Sequence, residues 1–273
     1  MRKYTFKGKI IIVTGASSGI GEALSREFAK NGGKVILAAR GEQKLTLIAN
    51  ELTEKGYEVF TCVTDVSRET ECENLIKTTV EKYGRIDILV NNAGISMKAL
   101  FHNANISVIR KLMDVNFWGT VYCTRYALPH IIESKGSLVS VSSVAGFHGL
   151  PSRSGYSASK FAINGLMESV RIENLKSGLH VMVAAPGFTA SAIRQNALLA
   201  DGIEHGESAV DESRFMSAER VARLILNGIR KRKRNMILSM EGRLTALLQR
   251  IVPGIVDRAF YHKFLKEPDS PLK

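Results

Sequence analysis

Seven short apolar runs alternate along this chain with stretches of helical pattern; they lie near residues 9 to 13, 34 to 39, 58 to 63, 87 to 91, 137 to 142, 180 to 185 and 235 to 239. Strands joined through helical crossovers lie parallel, and parallel sheets occur with helices over both faces. The alternation therefore predicts an α/β fold, a doubly wound parallel sheet of about seven strands. With 273 residues, 45% of them hydrophobic and 7% aromatic, the chain is long enough to bury one substantial core. One domain over residues 1 to 273 is the economical expectation, because no internal repeat, low-complexity linker or long structureless insertion interrupts the first 185 residues.

The first run, Lys9-Ile10-Ile11-Ile12-Val13-Thr14-Gly15, turns at glycine into a helical pattern that begins at Ile20-Gly21-Glu22. Gly15, Gly19 and Gly21 let the backbone turn sharply and approach a ligand closely, while the helix start offers unpaired N–H groups to an anion such as a pyrophosphate. The spacing is Gly-x3-Gly-x-Gly, and an ordinary strand-to-helix turn fits it as well. The second run ends at Arg40, nineteen residues after Gly21. A dinucleotide fold places at about this distance either an acid for a ribose 2′-hydroxyl or an arginine for a 2′-phosphate. A guanidinium binds a phosphate through paired hydrogen bonds and an acid repels it, so NADP(H) is expected over NAD(H), a solvated strand-end arginine being the alternative.

Farther along, Tyr156 and Lys160 stand four apart, and Ser143 lies thirteen residues before the tyrosine at the end of an apolar run. On a helix, positions i and i+4 share a face, which brings an ammonium beside a phenol whose ordinary pKa is about 10. That pairing lets a tyrosine do acid-base work near neutral pH. A Tyr-x-x-x-Lys match arises often by chance, so its neighbours decide its meaning.

Together these stretches resemble the short-chain dehydrogenase/reductase superfamily, in its single-domain Rossmann branch, over nearly the whole chain. Thr14-Gly15-Ala16-Ser17-Ser18-Gly19-Ile20-Gly21 matches the family's cofactor turn, and Asp65-Val66 matches the pair placed against the adenine. Asn91-Asn92-Ala93-Gly94 matches the motif that steadies the central sheet and borders the cofactor; Pro186-Gly187, with Thr189 just beyond, matches the turn beside the nicotinamide. Asn116, Ser143, Tyr156 and Lys160 match the catalytic tetrad in order. One departure is Ser18, where many NADP-preferring members carry a second basic residue. The resemblance implies that Ser143 hydrogen-bonds a substrate carbonyl while Tyr156 donates a proton to it. Lys160 is then expected to lower the tyrosine's pKa and bind the nicotinamide ribose, and Asn116 to hold a water that links Lys160 to solvent. A homo-oligomer, dimer or tetramer, is also implied.

Substrate choice is expected to lie in a mobile helical lid over about residues 188 to 216, with Phe188, Ile193 and Leu198 on its inner face above a partly apolar pocket, packing of the lid onto the domain being the alternative for these three. His102, His148, His180 and His205 lack a recognisable catalytic partner, so surface or packing roles are expected for each, contact with substrate being the alternative for His148 between the serine and tyrosine motifs. Cys62, Cys72 and Cys123 form no Cys-x-x-Cys pair and have no histidines at ligand spacing, so buried thiols of a reducing compartment are expected and no metal site. The short start before the first strand leaves no room for a signal peptide's apolar segment, and a soluble or membrane-peripheral cytoplasmic protein is expected.

The end of the chain is strongly basic. Residues 220 to 273 hold 13 Lys or Arg against 4 Asp or Glu, most of the net charge of +12. The run Arg230-Lys231-Arg232-Lys233-Arg234 lacks the interleaved aromatics or module of a nucleic-acid binder, so no nucleic-acid partner is expected. In the extension of about residues 230 to 273, Leu244, Leu247, Leu248, Ile251 and Val252 fall at helical spacing, with Arg243 and Arg250 on other faces. Such a stripe suits an anionic membrane surface, and it equally suits packing on its own domain or on a second subunit. This tail, with residues 196 to 202, loosely resembles the membrane-associated branch of the superfamily that includes acyl/alkyl-dihydroxyacetone-phosphate reductase, which implies a lipophilic carbonyl substrate. The expected activity is hydride transfer between NADP(H) and that carbonyl/alcohol pair. A non-enzymatic NADP(H)-binding regulator or membrane-surface scaffold on the same fold is the alternative.

Overall fold

The computed structural model describes residues 4–190, 193–206, 215–268 and 270–273. Among them, seven strands pair in parallel into one sheet: β1 (Ile10–Thr14), β2 (Lys34–Ala39), β3 (Val59–Val63), β4 (Ile88–Asn91), β5 (Ser137–Val141), β6 (His180–Ala185) and β7 (Asn235–Ile237). Their order is β3-β2-β1-β4-β5-β6-β7. The expected parallel sheet is thus present, with strands at the expected places. The helices are α1 (Gly19–Lys30), α2 (Glu42–Glu54), α3 (Glu69–Tyr83), α4 (Ile106–Leu112), α5 (Gly119–Glu133), α6 (Ser154–Glu173), α7 (Ala218–Arg230), α8 (Met240–Leu248) and α9 (Pro253–Leu265).

Successive strand residues point to opposite faces, and β1 shows what that alternation builds. Ile11 and Val13 join a core with Leu24 and Phe28 of α1 and with Val221, Ile225 and Ile229 of α7. Ile10 and Ile12 join a second core, on the other face, with Leu75 of α3, Ala127 and Ile131 of α5, and Ile163 and Met167 of α6. Every residue of β1 is buried, which explains why its first four residues are all apolar.

Polar residues inside the fold have structural work. Asp87, almost fully buried, accepts from Lys9 Nζ at 2.8 Å, Arg85 Nη2 at 2.6 Å and the Ile10 amide at 3.0 Å, so it ties the start of β1 to the start of β4. His180 bridges Ser137 Oγ at 3.0 Å and the Lys233 carbonyl at 2.8 Å. The basic run is the turn between α7 and β7: Arg230 bonds Asn31 and Arg232 donates to the Gly178 carbonyl. The three cysteines are free and buried.

The chain leaves β1 toward β2 and β3 on one side and returns to β4 on the other. The crevice outside the strand ends at such a reversal is the usual ligand position in an open α/β sheet.

Candidate active site

At the end of β1, Gly15 and Gly19 have positive φ, of 65° and 54°. Gly21 lies beneath the turn, where a Cβ would overlap the Gly15 carbonyl oxygen and lie 2.5 Å from Asn92 Nδ2. Asn92 clips the turn in place: its Nδ2 donates to the Thr14 carbonyl at 2.9 Å, while Thr14 Oγ1 accepts from the amides of Asn92 at 2.9 Å and Ala93 at 3.0 Å. Ser18, the residue before α1, makes no side-chain cap, so the first amides of that helix face outward.

A single cleft of about 1650 Å³ starts at this turn, lined by Gly15, Ser17, Ser18, Gly19 and Ile20. It passes Arg40, Asp65 and Val66, then Asn92, Ala93 and Gly94, and reaches Ser143, Tyr156, Lys160, Pro186, Gly187, Phe188 and Thr189. Of the residues expected at the site, Gly21 and Asn116 lie behind the wall. The bare glycine backbone and the uncapped amides of α1 at one end, with a long groove leading from them, fit a dinucleotide. At its outer end the cleft also meets Lys44, in the first turn of α2, near the exposed Arg40. Lys44 escaped sequence reasoning because only the start of a helix beside Arg40 signals it.

The chemistry gathers at the other end. Ser143 closes β5 and caps the short 3₁₀ turn Val144–Gly146, its Oγ accepting from the Ala145 amide at 3.2 Å. Tyr156 and Lys160 lie one turn apart on α6, both buried. Lys160 Nζ donates to the Val141 carbonyl at 3.0 Å and stands 5.6 Å from the centre of the tyrosine ring. Asn116 sits in a π-helical turn, Met113–Trp118, between α4 and α5. Its Oδ1 accepts from the Ile95 amide at 2.8 Å, and its Nδ2 donates to the Ile95 carbonyl at 3.0 Å and to Ser159 Oγ at 2.9 Å. Both side-chain N–H groups are thus used by protein, and the described contacts make Asn116 a strut toward α6.

Burial raises the Tyr156 pKa above its ordinary value, opposed by the hydroxyl of Ser143 and the charge of Arg153. Arg153 is a buried guanidinium one turn before the tyrosine, and its Nη1 donates to the Met97 carbonyl at 2.6 Å. Its position three residues ahead of Tyr156 was the available signal. Burial also pushes Lys160 down to about 8.

The expected lid, residues 188 to 216, is described in part. Among the described residues between 188 and 216 there are turns and isolated bridges, Thr189 to Met216 and Met97 to Leu198, and no helix. Residues 191, 192 and 207–214 fall outside the described part. Phe188 and Ile193 line the cleft, whereas Leu198 is buried against Met97, Val108 and Leu112 as packing. Phe188 stacks on Phe215 with ring centres 5.5 Å apart. Among the histidines, His102 is exposed, His205 lies 3.4 Å from Lys98 Nζ, and His148 is buried beneath α9 against Phe260.

A doubly wound nucleotide-type sheet with a serine at a strand end and a Tyr-x-x-x-Lys helix on one cleft defines a class of nicotinamide-linked oxidoreductases. The chain belongs to the short-chain dehydrogenase family, whose model matches residues 9–201. It is 37% identical to 11-beta-hydroxysteroid dehydrogenase A of Arachis hypogaea, over 97% of this chain and 78% of that protein. It is 34% identical to the protein of the same name from Sesamum indicum, over the same shares. An alcohol dehydrogenase from the archaeon Thermococcus sibiricus, solved with 5-hydroxy-NADP, superposes with a TM-score of 0.75 at 26% identity, over 85% of this chain and 96% of that one. The chain is accordingly an oxidoreductase of carbonyl and alcohol groups that uses a nicotinamide cofactor.

The lysine's position has a measurable consequence. Between its folded pKa of about 8 and its ordinary value of 10.5 the unfolded chain holds the extra proton, so stability rises with pH across that window. Below it the buried charge costs on the order of 3 kcal/mol at most. Lys160→Met is expected to raise the urea midpoint of the cofactor-free protein at pH 7, and the difference from wild type is expected to shrink as pH climbs toward 10.5. A difference that does not vary with pH removes the buried ammonium as its cause.

Proposed function

We propose that the protein is an NADP(H)-dependent oxidoreductase that interconverts a lipophilic carbonyl compound and its alcohol, with Ser143, Tyr156 and Lys160 as catalytic groups and Asn116 as their positioning residue. The observation that carries this reading is the convergence of Ser143, Tyr156 and Lys160 on the cleft that begins at the glycine turn, beside Pro186, Gly187 and Thr189. A bound nicotinamide supplies or accepts the hydride. Ser143 donates a hydrogen bond to the carbonyl oxygen where charge develops. Tyr156, kept protonated by burial, donates the proton during reduction and takes it back during oxidation. Lys160, fixed by the Val141 carbonyl, sets the positive charge next to that exchange and toward the cofactor ribose.

The preference for NADP(H) is supported by Arg40 and Lys44 at the outer end of the cleft, where the start of α2 has no side-chain cap and where Glu42 and Asp65 also line the wall. The lipophilic substrate is supported by the opposite end, where Leu150, Phe188, Ile193, Phe215, Met216 and Phe260 line the wall. The plant relatives named for hydroxysteroids point the same way.

A peripheral membrane position on the cytoplasmic side is part of this proposal. Leu244, Leu247, Ile251 and Ile255 of α8, α9 and the turn between them are more than half exposed, and Arg243, Arg250 and Arg258 stand among them. Apolar side chains with cations around them suit an anionic bilayer surface. The buried free thiols accord with a reducing compartment. No helix among the described residues is long and apolar enough to cross a membrane.

Four measurements test the proposal. Purified protein is expected to oxidise NADPH with a lipophilic ketone from a panel of steroids, quinones and long-chain ketones. Tyr156→Phe is expected to lower that rate by about 10²- to 10⁴-fold, the contribution of a general acid, with NADPH affinity nearly intact; equal turnover in the variant defeats the mechanism. Arg40→Asp is expected to move the NADPH/NADH preference by at least about tenfold, since a hydrogen bond to a charged group contributes roughly 1.5–3 kcal/mol, and an unchanged ratio takes Arg40 out of the site. Sedimentation with phosphatidylserine vesicles is expected to carry the full chain down and to release it at high salt. Protein that stays in the supernatant as a dimer or tetramer assigns the apolar face to a second copy.

A further inference from the structure

Behind the catalytic cleft, between the loop that follows Ser143 and helix α9, lies a second groove of about 640 Å³. The two share a border: Leu150 and Phe260 line both. The groove holds a group that nothing assigned so far uses. His148 is 4% exposed, packs its ring edge-on against Phe260 with centres 4.5 Å apart, and has no hydrogen-bond partner at either ring nitrogen. Ser154, at the start of α6 and lining the same groove, has a buried hydroxyl that is also unpartnered. Gln249 lies beside the histidine at the edge of hydrogen-bonding reach, and Asp257 faces it from α9.

Buried donors and acceptors normally have partners, because an unsatisfied one carries its full desolvation penalty. Two such groups at the wall of one groove mark a place built for a polar atom. The rest of that wall includes Asp257, Arg258 and His262 as well as Leu150, Pro151 and Phe260, but most of its accessible lining is apolar, which suits a polar atom carried on a largely apolar molecule. Desolvation favours the uncharged imidazole, which offers one N–H donor and one acceptor nitrogen. A hydroxyl, donor and acceptor at once, matches both.

The geometry points to this groove as the subsite for the far end of the substrate: a molecule whose carbonyl lies at Ser143 and Tyr156, whose apolar body crosses Leu150 and Phe260, and whose distal hydroxyl bonds His148 and Ser154. The inference rests on the reductase reading above and narrows it from lipophilic carbonyls to elongated hydroxy-ketones. Helix α9, which carries Phe260 of that border, is packed through a small cluster centred on Val256, Phe260 and Phe264, separate from the two sheet cores.

The test uses methyl ketones of increasing chain length, each with and without a terminal hydroxyl, and 3β-hydroxy-5α-androstan-17-one beside 5α-androstan-17-one. Turnover with NADPH and binding by calorimetry are measured on the full chain in parallel. Wild type is expected to favour the hydroxylated member of at least one pair by about tenfold or more in kcat/KM, the effect of satisfying a buried polar group. In His148→Leu that ratio is expected to fall to about 1, and His148→Gln, which keeps a donor and an acceptor, is expected to restore part of it. Turnover without a hydroxyl preference in any pair, or a preference that His148→Leu leaves in place, overturns the subsite and spares the reductase reading. Preferential binding of the hydroxylated compounds that depends on His148, without turnover, strikes the reductase reading and keeps the subsite. Neither turnover nor His148-dependent binding overturns both.

Discussion

The end of β1 is fastened to the end of β4, and the site depends on that fastening. Thr14 and Asn92 exchange hydrogen bonds across the crevice, and the absence of a Cβ at Gly21 lets the turn sit against Asn92. From Asn92 the chain runs three residues to Ile95, whose backbone holds both ends of the Asn116 side chain. Asn116 bonds Ser159, and Ser159 Oγ donates to the Tyr156 carbonyl at 2.7 Å. A continuous line of short bonds thus connects the turn that fits a cofactor to the helix that carries the tyrosine and lysine. Each bond contributes only about 1 kcal/mol net, but in a buried network the loss of one member leaves others unsatisfied.

The same region stores unfavourable electrostatics. Lys160 is buried with a carbonyl for its partner and is depressed to about 8, and Tyr156 is raised by its surroundings. A fold selected for stability alone would place neither there. Sites that keep strained or poorly solvated groups are common where chemistry needs them, and the surrounding sheet supplies the stability they subtract. Here that support comes from two apolar cores on opposite faces of strands such as β1, whose residues are all buried.

How much of this was legible in the sequence follows from the range of each interaction. The strands could be read because burial of the central ones makes them predominantly apolar, a local property. The glycine turn and the Tyr156–Lys160 pair could be read because turn geometry and the i, i+4 relation are local too. Arg153 and Lys44 lay within a turn of residues already singled out, yet their importance depends on which cleft those residues face. The role of Asn116 was less accessible: its partners Ile95 and Ser159 are 21 and 43 residues away. Leu198 looked like an inner-face residue because apolar spacing does not tell a pocket wall from the layer beneath it. The lid read as helical from its composition, whereas its described residues are held by bridges to Met97 and Met216.

The π-helical turn at Met113–Trp118 has a mechanical meaning. In an unbroken α-helix Leu112 and Cys123, eleven residues apart, would fall almost in phase at roughly 100° per residue. The wider turn sets later side chains back by close to one residue, so the two halves of this rod address different neighbours. Val108 and Leu112 pack with Met97, Leu198 and Tyr156, on the substrate side, while Cys123, Ala127 and Ile131 pack into the core beneath the sheet. The rod is therefore jointed at the residue that braces α6. Its forward half can follow a changing pocket while its rear half stays keyed to the sheet, which makes Asn116 the pivot between a part of the molecule free to diversify and a part that is not.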